Sequence, residues 1–560
     1  MVDRQAGPEA TRSRGRLLLV VLILAAALVL GAAFRIDSMR HKRGLHVDEV
    51  WSYVSAAGDI GHFVPTGSPR LVGAWEPASS WRARLGPGPV FDFAQIDSGL
   101  AHHDVHPPLY FFALHVWTLI VGMKFWSGPS LNLLIDLLTG AALFGLARRL
   151  LRDDVAAALV VLIWAVSPAV RLVSSMARMY TLEALFCVLF IWALVALADP
   201  KRAPARPLLG AALLALATAG GMLSQYQFAL IVVGGAAYVL IALARVDRRR
   251  CVRALLALAV GMALVPLVQP GVFVQWQRQS ERRSPWPFTV PFLVRKIDRA
   301  ADTLVQFFGA GQRSFDSLPA RPLRLWGLLP GTSLSNLAMV CFWACVAVAI
   351  ALAVPRSRRW LVRRDWRGGL ALIFLVWVAG TIIAQNFAFF SEPKLLSARY
   401  LAVAWPLLAF LPVVLARAFL PRWPNLIVAV LCLGVMVPFS RAPVNIAASA
   451  GPVARLSAAP RVIIDRPDQA SIAPIALTLP NDAQVYADRP RDMGERPGTW
   501  LDGLHAGDFF VHDSDVSVSA LRLLQARYVV RPLSPPYLRV SDSEALHVYR
   551  IVSARPTERG

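Results

Sequence analysis

Long apolar runs limit what this chain can fold into more than any other feature of its sequence. The clearest runs are residues 16–34, 155–166, 181–198, 208–223, 254–268, 337–354 and 370–383. A helix of roughly 20 predominantly apolar residues is long enough to cross the hydrocarbon core of a bilayer. Charged residues make up 17% of the 560 residues, against about 25% in soluble domains. The sequence therefore predicts a polytopic membrane protein and excludes an ordinary soluble enzyme.

The net charge of +23 comes from arginines that cluster in short segments between the apolar runs. Membrane proteins keep Lys and Arg in their cytoplasmic loops, so topology explains this charge better than nucleic-acid binding does. Basic and less basic loops alternate if residues 107–123 form an outer juxtamembrane helix rather than a span. With the N-terminus inside and the C-terminus outside, the predicted spans are residues 16–34, 129–149, 154–172, 181–199, 207–223, 227–244, 252–270, 334–354, 369–389, 400–418 and 424–440.

Three polar segments then fall on the outer side, at residues 35–128, 271–333 and 441–560. The predicted fold class is a polytopic α-helical membrane protein of about 11 transmembrane helices, with outer juxtamembrane helices and a small C-terminal α/β domain. Residues 1–440 form the transmembrane domain in this prediction, and residues 441–560 form the outer α/β domain. The predicted elements outside the spans are an amphipathic helix at 292–308, strands at 461–464, 484–486, 528–530 and 546–551, and a helix at 516–525.

Acidic and histidine side chains are concentrated at the two ends of the first outer segment. Asp48 and Glu49 lie near its start, and Asp104 and His106 lie near its end, just before two prolines. Carboxylates close to a membrane are costly unless they pair, bind a metal or take part in chemistry. Asp48 could instead cap a helix, with Glu49 in the first turn of that helix.

The two acidic motifs together carry a family resemblance. Asp48-Glu49 after the first span, followed by Asp-x-His-Pro-Pro-Leu at residues 104–109, resembles the protein O-mannosyltransferases (glycosyltransferase family 39) and their bacterial relatives. These families belong to the GT-C superfamily of integral-membrane glycosyltransferases. The resemblance covers the first 200 residues well, the middle of the chain loosely and the tail hardly at all.

Further motifs resemble bacterial members of the same superfamily. Arg178 and Tyr180, at the outer end of the third predicted span, resemble an Arg-x-Tyr element found there. Arg399 and Tyr400, at the start of the tenth predicted span, resemble another recurring element. Glu183 lies where the lipid A aminoarabinose transferases have an acid, so the chain is similar to these enzymes as well.

The resemblance implies a GT-C fold and a reaction. A sugar would pass from a polyprenyl-phosphate donor to an acceptor outside the cytoplasm, with inversion. In such families an acid of the first outer loop is the base, which places this role on Asp48, with Glu49 as the second candidate. A carboxylate within about 2.6–3.2 Å of the acceptor hydroxyl can take its proton as the hydroxyl attacks. The candidates for positioning the acceptor or the donor are Asp104, His106, Arg178, Tyr180 and Glu183.

The leaving group of this reaction is a polyprenyl phosphate, so cationic groups must meet the charge that develops on it. The predicted lipid-phosphate-binding residues are Lys394, Arg399 and Tyr400. Two alternatives stay open. Arg399 could be an interfacial anchor whose side chain reaches the headgroups, and Glu183 could pair with Arg178.

A metal site is a weaker hypothesis. His102, His103 and His106 have the composition of a ligand set, but their spacing is a weak signal. Some relatives, such as the aminoarabinose transferases, carry a divalent metal, whereas metal is not general in the superfamily. The sequence therefore predicts no certain cofactor and keeps a divalent metal as an alternative.

The predicted partners are a polyprenyl-phosphate sugar, a glycolipid, lipopolysaccharide or protein acceptor, and membrane lipids, with no nucleic acid. The predicted location is a bacterial cytoplasmic membrane, with the active site and the C-terminal domain facing the periplasm. A transporter or flippase of lipid-linked sugars is the main alternative, although such proteins have ionisable residues mid-span and inverted repeats. A non-catalytic assembly or sensor protein is the third reading, and it would not need Asp48.

Overall fold

The computed structural model describes most of the N-terminal half of the chain and parts of the C-terminal half. The described residues are 8–42, 44–60, 73–198, 206–281, 307, 402–403, 405–419, 423–441, 460–465, 472, 475–513, 519–539 and 545–555. The spans predicted at 334–354 and 369–389 lie outside these residues, and most of the amphipathic helix predicted at 292–308 does too.

Six helices in the described part of the chain are long and apolar enough to cross a membrane. They are Arg14–His41, Ser127–Leu151, Tyr180–Ala198, Pro207–Ser224, Tyr226–Leu243 and Arg248–Val268. The pair Asp154–Val166 and Pro168–Ser174 is also long and apolar enough when its two helices are taken together, but it is bent by 56°, so it is a broken span or a re-entrant loop. These helices correspond to the first seven predicted spans, so the multi-span helical fold class is confirmed. Two shorter apolar helices, Trp405–Arg417 and Pro424–Met436, lie where the last two spans were predicted.

Local chemistry explains two departures from simple spans. Pro168 has no N–H to continue the preceding helix, and the Ser167 hydroxyl caps the helix that follows, so the chain bends there. The helix over 109–121 has 13 residues, which is about 20 Å and too short for a core of about 30 Å. The short length agrees with the prediction of a juxtamembrane helix.

The helices and strands are numbered here in chain order. The helices are α1 (Pro8–His41), α2 (Val47–Ala56), α3 (Ala78–Ala83), α4 (Phe93–His103), α5 (Leu109–Val121), α6 (Ser127–Leu151), α7 (Asp154–Val166), α8 (Pro168–Ser174), α9 (Tyr180–Ala198), α10 (Pro207–Ser224), α11 (Ala229–Leu243), α12 (Arg248–Val268), α13 (Val272–Glu281), α14 (Trp405–Leu408), α15 (Leu411–Phe419), α16 (Pro424–Leu431), α17 (Val437–Arg441), α18 (Pro490–Glu495), α19 (Gly498–Leu501) and α20 (Ser519–Arg527). The strands are β1 (Trp75–Pro77), β2 (Arg461–Ile464), β3 (Gln484–Ala487), β4 (Phe509–Asp513), β5 (Tyr528–Arg539) and β6 (Ala545–Ala554).

The chain divides into two compact units. The helical unit comprises Met1–Ser38, Asn132–Ser175 and Met179–Pro443, and the outer unit comprises Met39–Leu131, Met176–Arg178 and Val444–Gly560. Inside the helical unit, Arg35 Nε donates to Asp136 Oδ2 at 2.6 Å, and both side chains are buried. This ion pair satisfies much of the charge of an acid that lies within a span.

The outer unit contains a six-stranded sheet in the order β1-β3-β2-β4-β6-β5. Strand β2 pairs in parallel with β3 and β4, and the other pairings are antiparallel. Val462 and Val511 point into one core and Ile463 and Phe510 into the other, as the two-residue period of a strand requires. The sheet confirms the C-terminal α/β domain of the predicted fold class.

Two strands of this sheet were not predicted. Strand β4 includes His512 and Asp513, which lie outside all four strands predicted from the sequence. Strand β1 comes from the first outer segment, and Trp75 lies opposite Tyr486 of β3. The sheet therefore joins two parts of the sequence that the predicted domain division at residue 440 separates.

Candidate active site

Helix α2 begins just after the first span and carries the two acids of the first motif. His46 is its N-cap, and His46 Nδ1 accepts a hydrogen bond from the Asp48 N–H at 3.1 Å. Glu49 reaches back and accepts from the His46 N–H at 2.9 Å. Reciprocal bonds of this kind satisfy N–H groups that have no partner within the helix, so they fix where the helix starts.

Glu49 is fully buried and its carboxylate is fully engaged. Lys42 Nζ donates to both carboxylate oxygens, at 2.7 and 2.8 Å, and the Ala177 N–H donates to Oε1 at 2.9 Å. Burial lowers the pKa of Lys42, and the charge of Glu49 opposes that shift. Glu49 thus ties three separate stretches of chain together, and its oxygens face protein groups.

Asp48 differs from its neighbour in exposure. Its side chain is 22% exposed, and Oδ2 lies 3.8 Å from His46 Nδ1. The Asp48 carbonyl is held instead, because it accepts from Ser52 Oγ at 3.0 Å and from Arg178 Nη1 at 3.2 Å. The backbone at Asp48 is therefore fixed while its carboxylate remains partly accessible.

Arg178 connects the two acidic motifs. Besides the Asp48 carbonyl, it donates to Ser52 Oγ at 3.2 Å through Nη1 and contacts His106 Nε2 at 3.0 Å through Nη2. Arg has no acceptor, so His106 Nε2 must be the acceptor and the ring proton lies on Nδ1. The Nδ1 atom is 2.8 Å from Asp104 Oδ1, which accepts that proton's hydrogen bond.

The charge of Asp104 is stabilised by this arrangement. Burial acts to raise the pKa of Asp104, but His106, Arg178 and the Val105 N–H outweigh it and hold the pKa below its usual value. Helix α4 ends at His103, and α5 starts at Leu109. The two intervening prolines have fixed φ angles, which restricts the backbone that presents Asp104 and His106.

Gly128 and Tyr53 support the segment that carries Arg178. A Cβ on Gly128 would lie 2.3 Å from Ala177 Cβ, so only glycine allows this approach. The Gly128 N–H donates to Tyr53 Oη at 2.7 Å. Burial, and then the negative charge of Glu49, raises the pKa of Tyr53 well above its usual value. Tyr53 is therefore a neutral packing residue beneath the acids.

The other candidate residues are placed less favourably or lie outside the described residues. Tyr180 and Glu183 are buried in the first turn of α9, and Glu183 Oε1 has no hydrogen-bond partner among the described residues. The candidates of the predicted tenth span, Lys394, Arg399 and Tyr400, lie outside the part of the chain that the structure describes.

The histidines proposed as metal ligands do not converge. His102 and His103 are exposed at the end of α4, with ring centroids 6.4 Å apart, and His102 Nδ1 contacts the Ser98 carbonyl. His106 is engaged by Asp104 and Arg178. Across the described residues, no group of three or more His, Cys, Asp or Glu side chains could hold a metal ion.

Sequence reasoning missed three residues of this cluster. Lys42 contacts Glu49, Ser52 contacts Arg178, and Tyr53 accepts from the Gly128 N–H, yet none of the three was among the predicted site residues. Two weak signals were present. Lysine is rare in this chain, so a lysine seven residues before Glu49 was unusual, and Ser52 lies one helical turn after Asp48.

Comparison with known families supports the resemblance carried by the motifs. The family model described as dolichyl-phosphate-mannose-protein mannosyltransferase matches residues 105–270. This stretch includes His106, Arg178, Tyr180 and Glu183, whereas Asp48 and Glu49 precede it. The match confirms the predicted resemblance to membrane glycosyltransferases of the GT-C superfamily. No curated protein matches the sequence significantly.

Solved structures with some similarity to this chain include enzymes from an archaeon and a bacterium. The oligosaccharyltransferase of Archaeoglobus fulgidus in complex with Zn and sulfate is 12% identical, with a TM-score of 0.45 over 82% of this chain and 62% of that one. AglB of the same organism, with an inhibitory peptide and a dolichol-phosphate, is 13% identical, with a TM-score of 0.42 over 75% and 55%. ArnT of Cupriavidus metallidurans bound to undecaprenyl phosphate is 16% identical, with a TM-score of 0.39 over 95% and 97%. The chain thus spans less than two thirds of the length of the two archaeal enzymes.

Proposed function

We propose that this protein transfers a sugar from a polyprenyl-phosphate donor to an acceptor on the outer face of the cytoplasmic membrane, with inversion. The family match over residues 105–270 supports the glycosyltransferase class. The observation that carries the proposal is the difference in contacts and exposure between the adjacent acids Asp48 and Glu49. Glu49 is buried and its carboxylate is engaged in structural contacts. Asp48 has a partly exposed carboxylate, and its backbone carbonyl is held by Arg178.

Asp48 acts as the general base in this proposal. Its carboxylate accepts the proton of the acceptor hydroxyl as that oxygen bonds to the anomeric carbon of the sugar. The bond between the anomeric carbon and the phosphate oxygen breaks in the same displacement, and the polyprenyl phosphate leaves with the electron pair. Attack from the face opposite the leaving group inverts the anomeric centre.

The surrounding residues position this base. Glu49 and Lys42 anchor the first turn of α2, so the Asp48 carboxylate has little freedom to drift from the acceptor. Arg178 holds the Asp48 carbonyl, and His106 with Asp104 orients Arg178 from the other side. Preorganisation of this type lowers the cost of reaching the reactive geometry.

Donor recognition rests on residues beyond this cluster. Lys394, Arg399 and Tyr400 are proposed to bind the lipid phosphate, because the leaving group gains negative charge as the bond breaks. Tyr180 and Glu183 are proposed to contact donor or acceptor. The solved structure of ArnT contains undecaprenyl phosphate, and that of AglB contains a dolichol-phosphate. A polyprenyl phosphate is accordingly the carrier we propose here, with a glycolipid, a lipopolysaccharide or a protein as the acceptor.

The proposed location is the cytoplasmic membrane of a bacterium, with Asp48 and the C-terminal sheet on the periplasmic side. The arginine-rich short loops support this orientation. A divalent metal is not required by the proposed mechanism. Assaying transfer with and without EDTA tests that point directly.

The decisive experiment compares two acids of the same segment. Asp59 follows α2 and its side chain is 25% exposed, close to the 22% of Asp48, so Asp59→Asn is a matched control for Asp48→Asn. Each protein is reconstituted in nanodiscs and assayed with a panel of radiolabelled polyprenyl-phosphate sugars and a membrane glycolipid or protein fraction. We expect Asp48→Asn to lose about 10²–10⁴-fold in turnover, and Asp59→Asn to stay close to wild type. Equal turnover of wild type and Asp48→Asn would refute the base assignment.

A flippase of lipid-linked sugars is the second candidate, favoured by the buried Arg35–Asp136 ion pair inside the span region. It predicts transbilayer movement of donor lipid without transfer to any acceptor. Measuring donor translocation in liposomes separates the two functions. Translocation without transfer by the wild type would favour the flippase.

A further inference from the structure

A groove of about 850 Å³ lies between α10 and α12 in the helical unit. The floor on the α10 side is made of small residues, Ala211, Ala212 and Ala215. The α12 side is apolar over most of its length and carries three arginines at one end, Arg248, Arg249 and Arg253. The groove is therefore amphipathic along its length, with a cationic end and an apolar body.

The apolar body ends where the two helices touch. A Cβ on Gly261 would lie 2.5 Å from both the Ala215 carbonyl oxygen and Thr218 Cβ, so the backbones are in close contact there. Small residues permit such an approach between membrane helices. The groove is consequently closed at the Gly261 end, away from the arginines.

The three arginines that line the groove differ from their neighbour Arg250 in pairing. Arg250, in the same turn, is paired with Asp247 at 2.7 Å. Within the part of the chain that the structure describes, Arg248, Arg249 and Arg253 form no ion pair. The first turn of α12 adds the positive end of a 21-residue helix. The field at this end therefore favours an anion.

The length of the groove matches one leaflet of a membrane. Its α12 lining runs from Arg248 to Val260, which is about 18 Å of helix rise. Half of a hydrocarbon core of about 30 Å is about 15 Å. A lipid with its headgroup at the arginines would thus have its chain in contact with the groove for the full depth of its own leaflet.

We propose that this groove binds one lipid with an anionic phosphate headgroup, its phosphate against Arg248, Arg249 and Arg253 and one hydrocarbon chain along the α10 alanines. Arg favours phosphate through forked, charge-assisted hydrogen bonds. Ala211 and Ala212 leave the width that a chain needs, whereas leucines there would fill it. This binding site is separate from the Asp48 cluster and does not depend on the transfer reaction.

Native mass spectrometry of the delipidated full-length protein, titrated with phosphatidylglycerol, tests this site. We expect one tightly retained lipid in the wild type. Arg248→Ala/Arg249→Ala/Arg253→Ala should weaken its Kd by roughly 100-fold, at about 1 kcal/mol for each arginine. The matched control, Arg152→Ala/Arg206→Ala/Arg245→Ala, removes the same charge from exposed arginines that do not line the groove. Its affinity should stay within about twofold of wild type.

A separate variant tests whether a hydrocarbon chain of the lipid lies in the groove. Ala211→Trp fills the groove and leaves the arginines in place, so it should weaken binding by at least about tenfold. Equal loss in both triple variants, unchanged binding by Ala211→Trp, or no retained lipid in the wild type would each overturn the proposal. Comparable melting temperatures of all variants in lipid-free detergent show that the changes reflect binding rather than misfolding.

The chemical identity of the headgroup is tested by the same titration with other lipids. Undecaprenyl phosphate and phosphatidylglycerol share the phosphate, and diacylglycerol lacks it. Both phosphate lipids should bind more tightly than diacylglycerol, and the tighter of the two identifies the source of the ligand. Equal affinity for diacylglycerol would refute the assignment of the arginines.

Discussion

Two Asp–His pairs in the outer unit have the same composition and different surroundings. Asp104 and His106 are 15% and 20% exposed, and Arg178 links them to the Asp48 backbone. Asp465 directly follows strand β2 and His512 lies on the adjacent strand β4. Their side chains are 0% and 5% exposed and are hydrogen-bonded to each other. His512 also stacks on Phe510. The comparison shows that two pairs of the same residue types can differ in their exposure and in what they contact.

The largest effect is expected at Glu49, the fully buried acid of this cluster. Glu49→Gln leaves Lys42 buried beside a neutral partner, and such losses cost about 3–5 kcal/mol. We expect the lowest melting temperature of the set and little transfer. Thermal unfolding in detergent measures the first effect. Glu76→Gln, at a half-buried acid of β1, is the control and should unfold close to wild type.

Asp465→Ala tests the buried pair of Asp465 and His512. It leaves His512 buried without its carboxylate, which should cost about 3 kcal/mol of unfolding free energy. Turnover per folded molecule should stay within about threefold of wild type, because Asp465 and His512 are buried against each other and are not among the residues proposed to act in the reaction. Hydrogen exchange of β2 and β4 should increase locally. A large fall in kcat without loss of protection would contradict a purely structural role.

His106→Gln tests the partly exposed pair. Gln lacks an atom pair placed like the two ring nitrogens, so Arg178 loses its fixed orientation. We expect a fall of about 10–100-fold in kcat with a small change in melting temperature. The matched change His512→Gln should show the opposite pattern, a lower melting temperature and near-normal kcat. If His106→Gln and His512→Gln changed kcat and melting temperature in the same way, the proposed difference between the two pairs would be refuted.

The smallest expected effect is a pH dependence from Asp104. Its pKa is held below the usual value in the folded protein, so the folded state binds fewer protons in that range. The stabilisation is complete above the unfolded pKa of about 4 and is lost as pH falls through the lowered pKa. Melting temperatures between pH 6 and pH 3 should therefore fall more steeply for wild type than for Asp104→Asn. Parallel curves would show that the ionisation of Asp104 contributes nothing to the pH dependence of stability.

The sequence predicted the long helices of the described residues well, because helices in a membrane must satisfy their hydrogen bonds locally, which makes hydropathy decisive. It also singled out five residues that the structure brings into one cluster, Asp48, Glu49, Asp104, His106 and Arg178. The sequence ranked Asp48 ahead of Glu49 only through the family resemblance, because the contacts of Lys42 and Ala177 with Glu49 arise only in the tertiary structure. The role of each site residue stays a prediction until it is tested.

The missed strands have physical reasons too. The first three residues of strand β4 are apolar on both faces and lack the polar–apolar alternation of a half-buried strand, so the sequence signal for a strand is weak there. Strand β1 has three residues and ends in proline, which is a poor local signal for a strand. Its pairing with β3 was invisible because the two segments are far apart in the sequence.

That separation has a consequence for synthesis. Pro77 of β1 pairs with Gln484 of β3, about 400 residues later in the chain. At about 5–20 residues per second, a ribosome needs roughly 20–80 seconds to cover that distance. The first outer segment must wait for this time with β1 unpaired, while the helices between are inserted. A nascent chain released early would hold the Asp48 motif but lack the sheet to which the same segment is hydrogen-bonded.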